Sequence, residues 1–86
     1  MRVLFSRRAE KDFLHLNPML KNRIGKKLKY FSDMSDPLSY AEPLKNFTGG
    51  GSYRFRIGDY RVIFDVIDDT IAVLYIEHRR DVYRRK

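Results

Sequence analysis

The stretch Tyr53-Arg54-Phe55-Arg56-Ile57-Gly58-Asp59-Tyr60-Arg61-Val62-Ile63-Phe64 constrains the fold more than any other part of the chain. Apolar and basic residues alternate ahead of Gly58-Asp59, and an apolar alternation continues beyond it, which is the period of a strand. With Gly58-Asp59 as a two-residue hairpin loop, Ile57 pairs with Tyr60 and pairing proceeds outwards. Arg56 then faces Arg61, Phe55 faces Val62, and Arg54 faces Ile63. Partners directly across a ladder project to the same side of the sheet. Tyr53, Phe55, Ile57, Tyr60, Val62 and Phe64 therefore share a face that needs covering, and Arg54, Arg56 and Arg61 share the other.

The remaining elements supply the cover. Arg2–Ser6 reads as a short strand ending at Ser6, a helix N-cap. Ala9, Phe13 and Leu16 follow at helical spacing, and Asn17-Pro18 closes that helix and caps the next. The second helix is expected from Pro18 to about Met34, with Leu20, Ile24, Leu28 and Phe31 as its apolar stripe and Asp36-Pro37 as its stop. Residues 36–52, punctuated by Pro37, Pro43 and Gly49-Gly50-Gly51, read as loop. Asp68-Asp69 is a second tight turn into the strand Ile71–Glu77. That turn pairs Ile67 with Thr70, Ile63 with Leu74 and Arg61 with Ile76. Ala72, Leu74, Ile76 and His78 then share the arginine face, giving an apolar floor, a basic rim and His78 at the edge. The expected class is α+β: an N-terminal strand, a two-helix hairpin and a three-stranded antiparallel meander, with the helices on one face of the sheet. Residues 1–86 are expected to form one domain, one that buries only about 60–65% of the surface its unfolded chain exposes.

Charge narrows the partner. Eighteen Lys and Arg against eleven Asp and Glu give a net charge of +7 and a pI near 9.9, so a polyanion leads. Lys21, Arg23, Lys26, Lys27 and Lys29 crowd the polar side of the second helix and are read as a solvated face. With no cysteine and two histidines, a structural zinc site is not expected. No metal and no cofactor are expected at all. The N-terminus lacks the apolar stretch of a secretory signal, and nothing approaches the ~20 apolar residues of a membrane span. A soluble cytoplasmic protein without a membrane partner is the expectation.

Placing Arg56 opposite Arg61, with Arg54 beside them, is a cost the fold does not require. Such local violations collect at functional sites, and a bound phosphate would remove the repulsion through paired guanidinium hydrogen bonds. The tail, Glu77-His78-Arg79-Arg80-Asp81-Val82-Tyr83-Arg84-Arg85-Lys86, adds more cations, a histidine and a phenol. Metal-free RNA cleavage needs no more than this. The substrate's own 2′-OH attacks the adjacent phosphorus, a base takes its proton, cations stabilise the phosphorane charge, and an acid protonates the departing 5′-oxygen.

The hairpin Tyr53–Phe64 and the tail Ile76–Arg84 resemble the RelE/ParE toxin superfamily. So do Phe5-Ser6, Ala9, Lys11-Asp12-Phe13 and Leu16 near the start, and Pro43-Leu44-Lys45 before the hairpin. The resemblance implies the RelE-like microbial RNase fold and a type II toxin–antitoxin toxin of the RelE-like branch. It further implies a ribosome-dependent endoribonuclease (mRNA interferase) that inhibits translation. The implied partners are a cognate antitoxin, the ribosome and mRNA, with operator DNA reached only through the antitoxin complex. By similarity Arg61 holds the scissile phosphate, Arg54 and Arg56 stabilise charge or serve base duties, and Tyr83 stacks or orients the 2′-OH. His78 completes the catalytic set, and Arg79, Arg80, Arg84, Arg85 and Lys45 are assigned to RNA binding. Some members carry lysine at the positions of Arg54 and Arg56. Arginine is a poor general base, which leaves proton abstraction to His78, Tyr83 or ribosomal RNA. The superfamily leaves two alternatives: a ParE-like DNA gyrase poison, and an inactive homologue acting with its antitoxin on operator DNA.

Overall fold

The computed structural model describes residues 1–44 and 51–80. In chain order these form β1 (Arg2–Phe5), α1 (Arg7–Leu14), α2 (Pro18–Ser32), a 3-10 turn (Pro37–Tyr40), β2 (Glu42–Pro43), β3 (Tyr53–Ile57), β4 (Tyr60–Ile67) and β5 (Thr70–His78). The five strands make one sheet in the order β1-β5-β4-β3-β2. Only the β1–β5 pairing is parallel, with Val3 beside Ile71 and Phe5 beside Val73.

The helix boundaries follow local chemistry. The Ser6 hydroxyl accepts from the Ala9 amide at 3.0 Å, and Asn17 Oδ1 accepts from the Leu20 amide at 2.9 Å. Each cap satisfies a first-turn donor that has no partner inside its helix. Pro18 then occupies the first helical position. α2 stops at Ser32, two residues short of the expected Met34, with Asp33 as C-cap.

The helices cover the face that the hairpin alternation marks out. Phe55, Val62 and Phe64 are fully buried with Ile24, Leu28 and Phe31 of α2 and Ala9 of α1. The rings of Phe31, Phe55 and Phe64 stack in a row, with centroids 4.5 Å and 4.3 Å apart. Each such side chain contributes about 1.5–3 kcal/mol on burial, so this aromatic column outweighs any electrostatic term in the chain.

Two sequence expectations need correcting. Residues 36–52 are not all loop: Glu42–Pro43 pairs with β3 as an edge strand, Glu42 beside Arg54 and Pro43 beside Tyr53. Proline is tolerated there because an edge position need not donate to a ladder. The β3–β4 register is as expected, from Ile57 opposite Tyr60 to Arg54 opposite Ile63. The β4–β5 register starts as expected at Ile67 and Thr70, then slips at Ile63/Phe64. Phe64 pairs with Val73, but Ile63 pairs with Tyr75 and Arg61 with Glu77. Leu74 is the extra residue of a bulge, and one extra residue inverts the parity of everything beyond it. Ala72 and Leu74 keep the arginine side. Ile76 joins the core, His78 follows it across, and Tyr75 and Glu77 take the places opposite Ile63 and Arg61 expected for Leu74 and Ile76.

The bulge lies where β1 runs out. Beyond Phe5 the outer edge of β5 has no strand to pair with, and α1 takes over. The Ser6 hydroxyl donates to the Leu74 carbonyl at 2.6 Å, and the Ile76 amide donates to Asp12 Oδ2 at 2.9 Å. Side chains thus complete a ladder that a sixth strand would otherwise continue. On the arginine side, Gly51 (φ +92°) closes over Ile63 and Leu74, and a Cβ there would run into the Ile63 side chain. Ile63 is buried on this side of the sheet.

Asp12→Ala should lower stability in urea denaturation by about 1–3 kcal/mol, the cost of orphaning a buried amide. Asp12→Asn, which keeps an acceptor oxygen, should cost clearly less; equal losses would show that the Ile76 contact is not what Asp12 contributes.

Candidate functional site

β3 and β4 bring Arg54, Arg56 and Arg61 to the sheet face opposite the helices, with Arg56 directly across from Arg61. This is the cluster the alternation requires. The turn that closes it uses Gly58 with φ +61°, and the Arg23 guanidinium of α2 packs 3.2 Å from where a Gly58 Cβ would sit. A side chain at 58 would face both left-handed strain and that contact. Arg23, read from sequence as part of a solvated face, therefore adds a cation at the closed end of the hairpin.

The three arginines differ in how their charge is met. Glu42 in β2 bridges two of them: Arg54 Nη2 donates to Oε2 at 2.8 Å, and Arg56 Nε lies 2.9 Å from Oε1. The hydrogen bond from Arg54, helped by the fields of Arg54, Arg56 and Arg61, holds the Glu42 carboxyl below its ordinary pKa against an opposing desolvation. Arg61 is different. Its Nε and Nη1 are buried and have no hydrogen-bond partner among the described residues, an arrangement that is costly for donors on a charged group. Arg61 lines a concavity of about 300 Å³ with Arg56, Gly58, Asp59, Tyr60 and Arg79.

Sequence reasoning missed Glu42. A two-residue strand has no periodicity to read, and the prolines on either side of it argued for loop. The bonds it makes appear only when the chain folds Glu42 back beside Arg54.

His78 is not where the meander register put it. The bulge turns it to the helix-covered side, where its ring meets Tyr60 edge-on at 5.0 Å and its Nδ1 accepts from the Arg80 amide at 3.1 Å. It lines a second concavity of about 480 Å³ at the end of the sheet, with Asp59, Arg79 and Arg80. Asp59 and Arg79 border both concavities. The Arg79 amide donates to the Asp59 carbonyl at 2.7 Å, which ties the start of the tail to the hairpin turn. His78 therefore approaches the arginine face around the end of the sheet and not across it. Tyr83, Arg84, Arg85 and Lys45 lie outside the described residues.

The sequence model of the family described as the ParE toxin of type II toxin–antitoxin system, parDE, matches residues 3–83. The chain belongs to the RelE/ParE toxin superfamily. It is 31% identical over 86 residues to Toxin RelG of Mycobacterium tuberculosis, covering 96% of this chain and 95% of the relative. It is 29% identical over 84 residues to Toxin RelE3 of Methanocaldococcus jannaschii, covering 96% of each. Among solved structures, the toxin–antitoxin complex RelBE2 of Mycobacterium tuberculosis superposes with a TM-score of 0.71 at 25% identity. That match covers 91% of this chain and 96% of the other. As a superfamily member the chain combines the expected α+β fold with an arginine face whose charges are unequally satisfied.

The Glu42 carboxyl carbon should titrate in NMR with a midpoint below that of an ordinary glutamate. Arg54→Ala, which removes the leading cause, should move that midpoint back up. Because the folded pKa is the depressed one, the bridge's contribution to stability is present above the unfolded value and fades as pH falls through the folded one. An unshifted midpoint in the wild type would show that the carboxylate does not hold the two guanidinia in solution.

Proposed function

We propose that this toxin is a ribosome-dependent endoribonuclease that cleaves mRNA by attack of the substrate's 2′-OH on the adjacent phosphorus. The observation that carries the reading is Arg61: a guanidinium with two buried donors that find no partner among the described residues, beside an open concavity lined by further arginines. A phosphodiester supplies the acceptors those donors lack, in the planar paired geometry that guanidinium favours. Charge builds on the phosphoryl oxygens as the new P–O bond forms, so donors fixed in advance stabilise the transition state more than the ground state.

In this reading Arg61 seats the scissile phosphate, and Arg54 and Arg56 stabilise the developing charge. Arg79 and Arg80, with Arg84, Arg85 and Lys45, hold the flanking RNA backbone. Proton transfer to and from the 2′-oxygen and 5′-oxygen falls to His78, Tyr83 or ribosomal RNA. Of these His78 is the described one, and its place around the end of the sheet suits a proton donor to the leaving oxygen better than a base beneath the nucleophile. No metal or cofactor enters the scheme. The chain acts as one domain in the cytoplasm, restrained by a cognate antitoxin. The solved neighbour's being a toxin–antitoxin complex supports that partner, as does the charge of +7, which suits an acidic wrapping segment. Operator DNA is contacted only through that complex.

A second reading, poisoning of DNA gyrase, is favoured by the description of the matching family model as a ParE toxin. Primer extension on an mRNA in translating extracts separates the two. Wild-type protein should produce discrete cleavage stops, and Arg61→Ala should reduce them by about two to three orders of magnitude, the range for losing one transition-state donor. Intact mRNA together with inhibited gyrase supercoiling would replace the nuclease reading with the other.

Saturating antitoxin should raise the melting temperature of the toxin, since a ligand bound only to the folded state adds stability as its concentration exceeds Kd. Calorimetry of the free and bound protein measures it, and coincident transitions would count against a wrapping partner.

A further inference from the structure

Glu42 and the arginine pair it bridges invite a reading beyond stabilisation. Its two oxygens each take a separate guanidinium, at 2.8 Å and 2.9 Å, as two oxygens of a phosphate would. We propose that Glu42 is an internal stand-in for an RNA backbone phosphate. It occupies the Arg54–Arg56 fork in the free protein and is displaced when a strand seated on Arg61 brings a second phosphate to the fork.

Four observations converge on this, given the RNA-binding reading of the face argued above. The bridge is accessible: the Glu42 and Arg56 side chains are 45% and 56% exposed, so exchanging one anion for another opens no core. The element carrying Glu42 is a two-residue edge strand containing a proline, whose release costs few ladder bonds. The carboxylate also leaves Arg54 incompletely met, for Arg54 Nε is buried without an acceptor among the described residues even with Glu42 in place. Finally, although Glu77 stands opposite Arg61 in β5, no ion pair joins Arg61 to a carboxylate among the described residues, so the face already divides into a bridged pair and an unbridged arginine. Like-charge repulsion along the β3–β4 pair explains the division. A chain that must fold before it meets RNA needs an anion of its own between Arg54 and Arg56, and it needs one that RNA can replace.

The consequence is an order of engagement. Arg61 accepts the first phosphate and the fork accepts the next, so full charge is presented only to a continuous strand. Glu42 is thus a positioning residue that holds Arg54 and Arg56 side by side and sets the threshold for their use.

The test is a titration of the full chain with inorganic phosphate, followed by the guanidinium Nε–Hε resonances of the three arginines. In the wild type Arg61 should shift at phosphate concentrations well below those that move Arg54 and Arg56. In Glu42→Gln all three should respond together. A non-cleavable single-stranded oligoribonucleotide should bind Glu42→Gln more tightly than the wild type with the same log–log salt slope, because the same phosphates are contacted in both. Glu10→Gln removes the same charge from an exposed position on α1 and should leave the arginine order as in the wild type, which separates a local effect from net charge. Simultaneous response of the three arginines in the wild type would overturn the proposal. So would a Glu42→Gln titration indistinguishable from that of Glu10→Gln. Cleavage is not a readout here: loss of the nuclease reading would show in primer extension with Arg61→Ala, and the phosphate order would stand or fall separately.

Discussion

The burial of Phe55, Val62 and Phe64 against Phe31, Ile24 and Leu28 is the constraint on which the rest depends. Strand side chains alternate, so fixing these rings beneath α2 leaves Arg54, Arg56 and Arg61 no place but the opposite face. Apolar burial supplies about 1.5–3 kcal/mol for each large side chain, while exposed charge pairs contribute about 1 kcal/mol or less. The core therefore dictates the geometry of the cations, and the repulsion among them is tolerated because it is the smaller quantity. A functional face of this kind needs no special backbone. It is the obverse of a well-packed one.

Three arginines so placed do not share one fate. β2 returns along β3 and sets one carboxylate between Arg54 and Arg56, whereas Arg61 keeps two buried donors without acceptors among the described residues, beside an open concavity. The difference arises from lateral position in the sheet. β3 is next to the edge, within reach of a short returning strand, but β4 is central and flanked on both sides. Glu77 stands opposite Arg61 in β5, yet the Arg61 Nε and Nη1 find no acceptor among the described residues, and in the reading proposed above a phosphate supplies one.

Much of this was legible in advance. The Ser6 and Asn17 caps, the apolar stripe of α2, the pairing of Arg56 with Arg61 and the covered and uncovered faces of the first hairpin all follow from local spacing. What was not legible shares one cause, contact with residues distant in sequence. Glu42 acquires its role only by lying beside Arg54. Leu74 bulges where β1 ends and α1 begins to cap the edge of β5, through contacts more than sixty residues apart in the chain. No turn residue near Leu74 announces the slip, so a register extrapolated from Asp68-Asp69 remains correct to Phe64 and fails beyond it.

The sequence by itself determined the elements, their amphipathic faces and the presence of a tri-arginine surface, because periodicity and turn chemistry act over a few residues. Tertiary structure decided which arginines are neutralised and which is open. It also decided that His78 lies around the end of the sheet, beside Tyr60, and that Tyr75 and Glu77 occupy the strand positions expected for Leu74 and Ile76. These outcomes depend on one extra residue in one strand and on a two-residue edge strand returning from a distance. Both are settled by which long-range contacts bury the most apolar surface and satisfy the most backbone, a comparison that exists only once the whole sheet has assembled.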